Sequence, residues 1–205
     1  MIDQVRVVIV TDPACADLVA RVGAIAGAAP RGSVLVQMRA KDRDGGFVYE
    51  LTRAVIAVAR PPGAPVWVND RVDIALAAGA DGVHLPERGL TIADARALAP
   101  RLAIGCSRHD ADGARRADGA DLVALGPIWE TPDKPSPIGA AALAVRRELP
   151  AHVRLVAIGG VDSPARARDA ARAGADAVAV VRAAWQSRDP GATIAALVAA
   201  VDERG

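Results

Sequence analysis

Gly79-Ala80-Asp81 runs into Gly82-Val83-His84-Leu85, Gly119-Ala120-Asp121 into Leu122-Val123-Ala124-Leu125, and Gly174-Ala175-Asp176 into Ala177-Val178-Ala179-Val180-Val181. In each copy an Ala-rich helical pattern stops at Gly and a short apolar run follows. Glycine reaches φ > 0 without a Cβ clash, which suits it to the position just past a helix end. Apolar runs this short, without polar alternation, read as strands buried on both faces, as in a parallel sheet. The repeated unit is therefore helix, Gly stop, buried strand. Leu155-Val156-Ala157-Ile158 precedes the last copy and runs into Gly159-Gly160. The segment from Leu155 to Arg182 is the expected phosphate grip of the molecule.

Outward from these repeats the same alternation continues. Val5 to Val10 is the expected first strand, with a helix from Cys15 to about Gly27. Val34 to Met38 is the second strand, followed by a helix over Phe47 to Arg60. Val66-Trp67-Val68 is the third, and a helix ending at Ala78 leads into the first repeat. Thr91 is placed to cap the next helix, with Asp94 three residues on. Leu102 to Gly105 is the fifth strand, and Asp110 to Ala117 a helix. Gly126 to Pro137 is a loop with four prolines, followed by a helix to about Leu149. Ser163-Pro164 supplies a cap and first position. A last helix covers about Ala192 to Val201. About eight strand–helix units in 205 residues predict one domain over 1–205, a (β/α)8 TIM barrel. A doubly wound open sheet is the rival fold, but its usual Gly-x-Gly-x-x-Gly turn after the first strand is missing.

Composition excludes several function classes. A net charge of +1 offers no electrostatic case for nucleic acid or membrane binding. Aromatic residues are scarce, which argues against base-stacking surfaces. Cys15 and Cys106 are the only cysteines and have no metal-ligand spacing, so reduced thiols and a cytoplasmic location are expected. The first residues show no signal-peptide pattern, and no apolar run is long enough to span a bilayer.

In a barrel of this kind the active site lies at the strand C-termini. The residues there are Thr11 and Asp12, Arg39 and Lys41, Asn69 and Asp70, Glu87, Ser107 and His109, Thr131 and Lys134, Gly159 and Gly160, and Arg182. Cations and hydroxyls suit phosphate oxygens, and Asp supplies the hard oxygen that Mg²⁺ prefers. A phosphorylated small molecule with a divalent ion is the expected ligand class. Each of these residues, taken singly, also fits an ordinary solvated loop. Gly159-Gly160 fits a cradle of backbone N–H groups. His84, central in an apolar strand, reads as a packed or hydrogen-bonded core residue. His109 shapes its loop or touches substrate, and His152 belongs to the opposite end. Ser107 has no acid–base partner legible in the sequence.

Several stretches resemble thiamine-phosphate synthases. They are Gln37-Met38-Arg39-Ala40-Lys41-Asp42, Val68 to Leu76 with Gly79 to Leu85, Gly105-Cys106-Ser107-Arg108-His109, Gly126 to Lys134, and Ala157-Ile158-Gly159-Gly160. The resemblance covers nearly the whole chain in order. It implies a TIM barrel that joins hydroxymethylpyrimidine diphosphate to thiazole phosphate with Mg²⁺, releasing diphosphate. By motif, Arg39, Lys41, Asn69 and Lys134 would hold the diphosphate, and Asp70 the metal. Ser107 would hydrogen-bond the diphosphate and assist its departure. Thr131, Gly159 and Gly160 would meet the thiazole phosphate, with Val181 and Arg182 beside them.

The chain departs from this pattern in places. Synthases carry Gly-Gln-x-Asp after the fourth strand, whose Asp is a second metal ligand. Here Pro86-Glu87-Arg88-Gly89 puts Gly89 in that place, with Glu87 as the nearest substitute. Arg182 stands where the family has Ser, and Asp133 where it has a second Thr. The Leu85-Pro86 pair resembles the TenI-like thiazole tautomerases, whose proposed catalytic His is Pro127 here. A tautomerase-like enzyme and a non-catalytic binder of thiazole phosphate or thiamine phosphate are the alternative readings. A homo-oligomer stays open.

Overall fold

Eight short parallel strands pair in chain order and close through β8 and β1 into a barrel. They are β1 (Val7–Val10), β2 (Val34–Met38), β3 (Val66–Asn69), β4 (Gly82–Leu85), β5 (Ala103–Arg108), β6 (Leu122–Leu125), β7 (Arg154–Ile158) and β8 (Ala177–Val180). The helices around them are α1 (Leu18–Ala28), α2 (Gly45–Ala59), α3 (Val72–Ala78), α4 (Ile92–Leu98), α5 (Ala111–Arg115), α6 (Pro164–Ala173), α7 (Arg182–Trp185) and α8 (Pro190–Asp202). A 3₁₀ stretch, Ala140–Glu148, takes the place of a helix between β6 and β7. The computed structural model describes residues 2–132 and 136–203. Among them no helix is long and apolar enough to cross a membrane.

Strand alternation sorts the core into two layers. Val7, Ile9, Val36, Val68, Val83, Ile104, Val123, Leu125 and Val178 pack outward against the helices. Val8, Leu35, Trp67, Leu122, Ala124, Val156, Ala177 and Ala179 fill the barrel interior. Helix starts follow their side-chain caps. Asp44 accepts from Phe47 N–H, Thr91 from Asp94 N–H, and Ser163 from Arg166 N–H ahead of Pro164. Gly79 ends α3 at φ 70°, the left-handed turn expected of the repeat.

The Asp of each repeat does more than follow the glycine. Asp81 N–H donates to Val66 O at 2.8 Å, and Val66 N–H donates back to Asp81 Oδ2 at 2.9 Å. Asp121 makes the same ring with Ile104, at 2.7 and 2.8 Å. Asp176 makes it with Leu155, at 2.8 and 3.0 Å. An arginine from the helical segment, or its C-cap, before the first strand of each pair completes each ring: Arg60 on Asp81, Arg96 on Asp121 and Arg146 on Asp176. These clamps join β3 to β4, β5 to β6 and β7 to β8 at the barrel's N-terminal end, away from the mouth.

The structure differs from the sequence expectations at several boundaries. The first strand begins at Val7 rather than Val5, and α1 at Leu18 rather than Cys15, because Asp12 draws Ala14 and Cys15 N–H groups into a turn. β5 continues to Arg108, so Ser107 sits on the strand itself. The segment to Leu149 is 3₁₀ rather than α, and Arg146 bonds the terminal carbonyls Leu149 O and Ala151 O. The Asp110–Ala117 helix shrinks to Ala111–Arg115 with Asp110 as its cap. α7 is too short to leave a periodic signal in sequence. Trp185 anchors it by donating Nε1–H to Val10 O at 2.7 Å.

Candidate active site

Pleat alternation carries the inward positions upward from the interior layer to the mouth. On β2 and β3 these are Gln37 and Asn69, and on β4 and β5 they are His84 and Ser107. Gln37 Nε2 donates to Asn69 Oδ1 at 3.1 Å. His84 Nε2 lies 2.9 Å from Ser107 Oγ. On the far side Ala124, Ile158 and Ala179 occupy this end of β6, β7 and β8. The mouth thus has one polar wall over four consecutive strands and one apolar wall. A flat heterocycle with a charged tail suits such a division.

One member of each pair is buried, and Asn69 and Ser107 are half-buried. Gln37 is 6% exposed and His84 3%. Burial pushes the His84 imidazole down to a pKa of about 4, with the Arg108 guanidinium as a lesser cause, so it is neutral at ordinary pH. Sequence reading placed His84 correctly as a buried, hydrogen-bonded residue but gave Ser107 no partner. It also passed over Gln37. The available signal was alternation: Gln37 stands two residues before Arg39, and His84 pairs in register with both Asn69 and Gly105.

Around the mouth the rim residues separate into spent and available groups. Thr11 Oγ accepts from Arg39 N–H at 2.8 Å and donates to Arg39 O at 3.3 Å. That hydroxyl ties β1 to β2 and positions Arg39. Asp12 is likewise used locally, on Ala14 N–H. Arg71 is held by Asp73 at 2.6 Å. By contrast the side chains of Arg39, Lys41, Arg88 and Arg182 are exposed. Among the described residues none of these side chains has a hydrogen-bond or ion-pair partner. Unneutralised cations at one rim favour an anionic ligand.

Asp70 is the one non-glycine residue at positive φ, 68°, among the described residues. Its N–H donates to His84 O at 2.8 Å, and Arg71 N–H closes a tight turn onto Asn69 O at 2.9 Å. Such a conformation costs about 1–3 kcal/mol and is kept where neighbours enforce it. The Asp70 carboxylate has no hydrogen-bond or ion-pair partner among the described residues. It lies against the β4 loop, since a Cβ on Gly89 would stand 2.9 Å from Asp70 Oδ1. Glu87 turns the other way, with Oε2 3.7 Å from His109 Nε2. His109 Nδ1 donates to Gly126 O at 2.6 Å. Among the described residues no three His, Cys, Asp or Glu side chains gather as a metal cage.

At the β7 end, Gly159 and Gly160 take φ 97° and 71°. A Cβ on Gly159 would meet Pro127 Cα at 2.7 Å, and one on Gly160 would meet Trp129 Cβ at 2.6 Å. The two glycines therefore let the β6 loop pack directly on the β7 loop. Trp129 N–H donates to Gly159 O at 3.1 Å. Arg166 fixes the turn by donating to Gly160 O at 2.6 Å, with its guanidinium over the Trp129 ring. Among the described residues the N–H groups of Gly160, Arg182 and Ala183 have no acceptor. Val181 caps α7 and is exposed. Thr131 is half-buried just beyond Trp129, and Lys134 lies outside the described residues. A surface hollow of about 810 Å³ opens at the opposite end, but its Arg60 and Asp81 are taken up by a clamp.

The chain matches a family model described as thiamine monophosphate synthase over residues 7–184. It is 44% identical over 194 residues to a thiamine-phosphate synthase of Anaeromyxobacter dehalogenans, covering 91% of this chain and 84% of that one. It is 37% identical over 208 residues to the thiamine-phosphate synthase of Chloroflexus aurantiacus, covering 97% and 95%. A solved thiamine phosphate pyrophosphorylase from Pyrococcus furiosus superposes with a TM-score of 0.87 at 30% identity, covering 98% of both chains.

Proposed function

From the chain's membership of the thiamine-phosphate synthase family we propose that it joins hydroxymethylpyrimidine diphosphate to thiazole phosphate and releases diphosphate. The observation that carries this reading is the set of exposed Arg39 and Lys41 side chains and the Asp70 carboxylate after the C-terminal ends of β2 and β3, the barrel end to which Ser107 on β5 also belongs. In the reaction the methylene C–O bond breaks and its electron pair leaves with diphosphate. The resonance-stabilised pyrimidinylmethyl cation then takes the thiazole nitrogen lone pair to form the C–N bond.

Most of the barrier lies in charge gathering on the departing diphosphate. Preorganised donors lower it because they need no reorientation as that charge develops. Arg39, Lys41, Asn69 and Lys134 would bind the diphosphate oxygens, and Ser107 would donate its O–H to one of them. Gly159, Gly160 and Thr131 would hold the thiazole phosphate through N–H and hydroxyl groups. Val181 and Arg182 would close that subsite. The apolar wall would exclude water from the cation, and fixed phosphates at both ends would align the nitrogen.

The donor set fits a Mg²⁺ ion held largely by substrate. Asp70 would supply one oxygen, with the remaining positions left to diphosphate and water. When bound, the ion would neutralise part of the leaving-group charge. Glu87 would reach it only by leaving His109. The test is direct: purified protein is incubated with both substrates and Mg²⁺, and thiamine phosphate and diphosphate are assayed. Equal amounts of both products support the reading, and neither product with both substrates bound would reject it.

A further inference from the structure

One large ring occupies the barrel interior beneath the mouth. Trp67 is 1% exposed, its in-register partner on β4 is Gly82, and Gly105 on β5 also faces the ring. A Cβ on Gly82 would fall 2.6 Å from Trp67 Cε2 and Nε1, and one on Gly105 would fall 2.7 Å from Trp67 Cζ3. The indole therefore fills space that side chains on β4 and β5 would take. The same Cβ on Gly105 would stand 2.8 Å from His84 Nδ1, so indole edge and imidazole share a notch. Trp67 Nε1 is buried without a hydrogen-bond partner among the described residues. Leaving such a donor unmade is costly, which points to a role for the ring's shape rather than its N–H.

Above this ring, His84 Nε2 meets Ser107 Oγ. A neutral imidazole offers one N–H and one lone pair. If Nε2 accepts, the serine hydrogen is spent inside the protein and only lone pairs face the mouth. If Nε2–H donates, the serine hydrogen is free for an anionic oxygen. Only the second arrangement suits a serine that assists a departing anion.

We propose that His84 is a positioning residue, held by Trp67 in the Gly82–Gly105 notch so that its Nε2–H orients the Ser107 hydroxyl toward the departing diphosphate. This rests on the role given to Ser107 above. The group acts through Ser107 and touches no reacting atom.

The test is a double-mutant cycle read by inorganic diphosphate binding in the presence of Mg²⁺, measured by calorimetry on wild type, Ser107→Ala, His84→Phe and the double variant. A hydrogen bond to a charged acceptor supports roughly tenfold or more in affinity, so Ser107→Ala should weaken binding by that factor. His84→Phe should weaken it similarly, and the double variant should bind no worse than Ser107→Ala. His84→Gln, whose amide N–H reaches the same place, should recover much of the loss. Trp67→Ala should weaken binding when Ser107 is present and change nothing when it is combined with Ser107→Ala; this pair decides the matter if His84→Phe fails to fold. Additive losses, an unchanged His84→Phe, or no diphosphate binding by wild type would overturn the proposal. Thiamine phosphate synthesis is assayed separately, so a failed synthesis with an intact binding cycle counts against the proposed function alone.

Discussion

Replacing the aspartate of a Gly-Ala-Asp repeat should cost far more than an exposed ion pair is worth, and Asp176 should cost most. Its carboxylate accepts Leu155 N–H at 3.0 Å and meets Arg146 Nε at 2.7 Å and Arg154 at 3.6 Å. The Asp176 side chain is 9% exposed and its partners 22% and 14%. Asp176→Ala removes a charge-assisted bond of about 1.5–3 kcal/mol and leaves two poorly solvated guanidinium groups without their counter-charge. Breaking a buried pair on one side costs about 3–5 kcal/mol. These figures overlap, so the expected loss is about 3–5 kcal/mol in total. At roughly 2–4 °C per kcal/mol for a domain of this size, the melting point should fall by about 6–20 °C. Asp121 and Asp81 are 33% and 21% exposed with more exposed arginines, so their Ala variants should lose mainly the backbone bond, about 1.5–3 kcal/mol. Asn at either position keeps an acceptor for the strand N–H and should lose less. Urea unfolding followed by circular dichroism reads all of these. A loss below about 1 kcal/mol for Asp176→Ala, or a larger loss at Asp81 than at Asp176, would refute the clamp as the reason for the repeat.

Gly105→Ala drives a methyl into Trp67 and His84 and should destabilise by about 1–3 kcal/mol; Trp67→Leu in the same chain should recover part of that in thermal melts, and no recovery would count against the notch. The His84 pKa of about 4 in the fold, against 6.5 unfolded, means that the unfolded chain binds the extra proton between these values. Stability should therefore fall as pH drops through that window, by about 3 kcal/mol, and His84→Phe should lack this component when unfolding is compared at both ends. Mg²⁺ should bind weakly alone and more tightly with diphosphate, through Asp70. Gly89→Asp should strengthen it once Pro86 and Asp70, which a Cβ at Gly89 would meet at 2.9 Å, shift aside; calorimetric titration showing no dependence on Asp70 would exclude this metal site.

Much of the fold was legible in the chain because its signals are local. Helix ends, caps and buried strands depend on residues a few positions apart, so the repeats, the Thr91 cap and the Ser163-Pro164 start could be read directly. β2 and β6 fall on their expected spans. The rim set followed from one rule, that polar residues after parallel strands converge on one face. The short α7 has no period to read, and the helix expected up to Leu149 is a 3₁₀ stretch instead. What the tertiary structure alone decided are the pairings across strands. Ser107 finds His84 twenty-three positions away, and Gln37 finds Asn69 thirty-two away. Thr11, a rim candidate by sequence, is consumed by the Arg39 backbone, whereas Asp70 keeps a carboxylate without a partner among the described residues. The third residue of each repeat, silent in the sequence, proved to lock the preceding strand. Strand closure brings such groups together, and a hydrogen bond reports the distance between two atoms in space, which residue spacing along the chain does not contain.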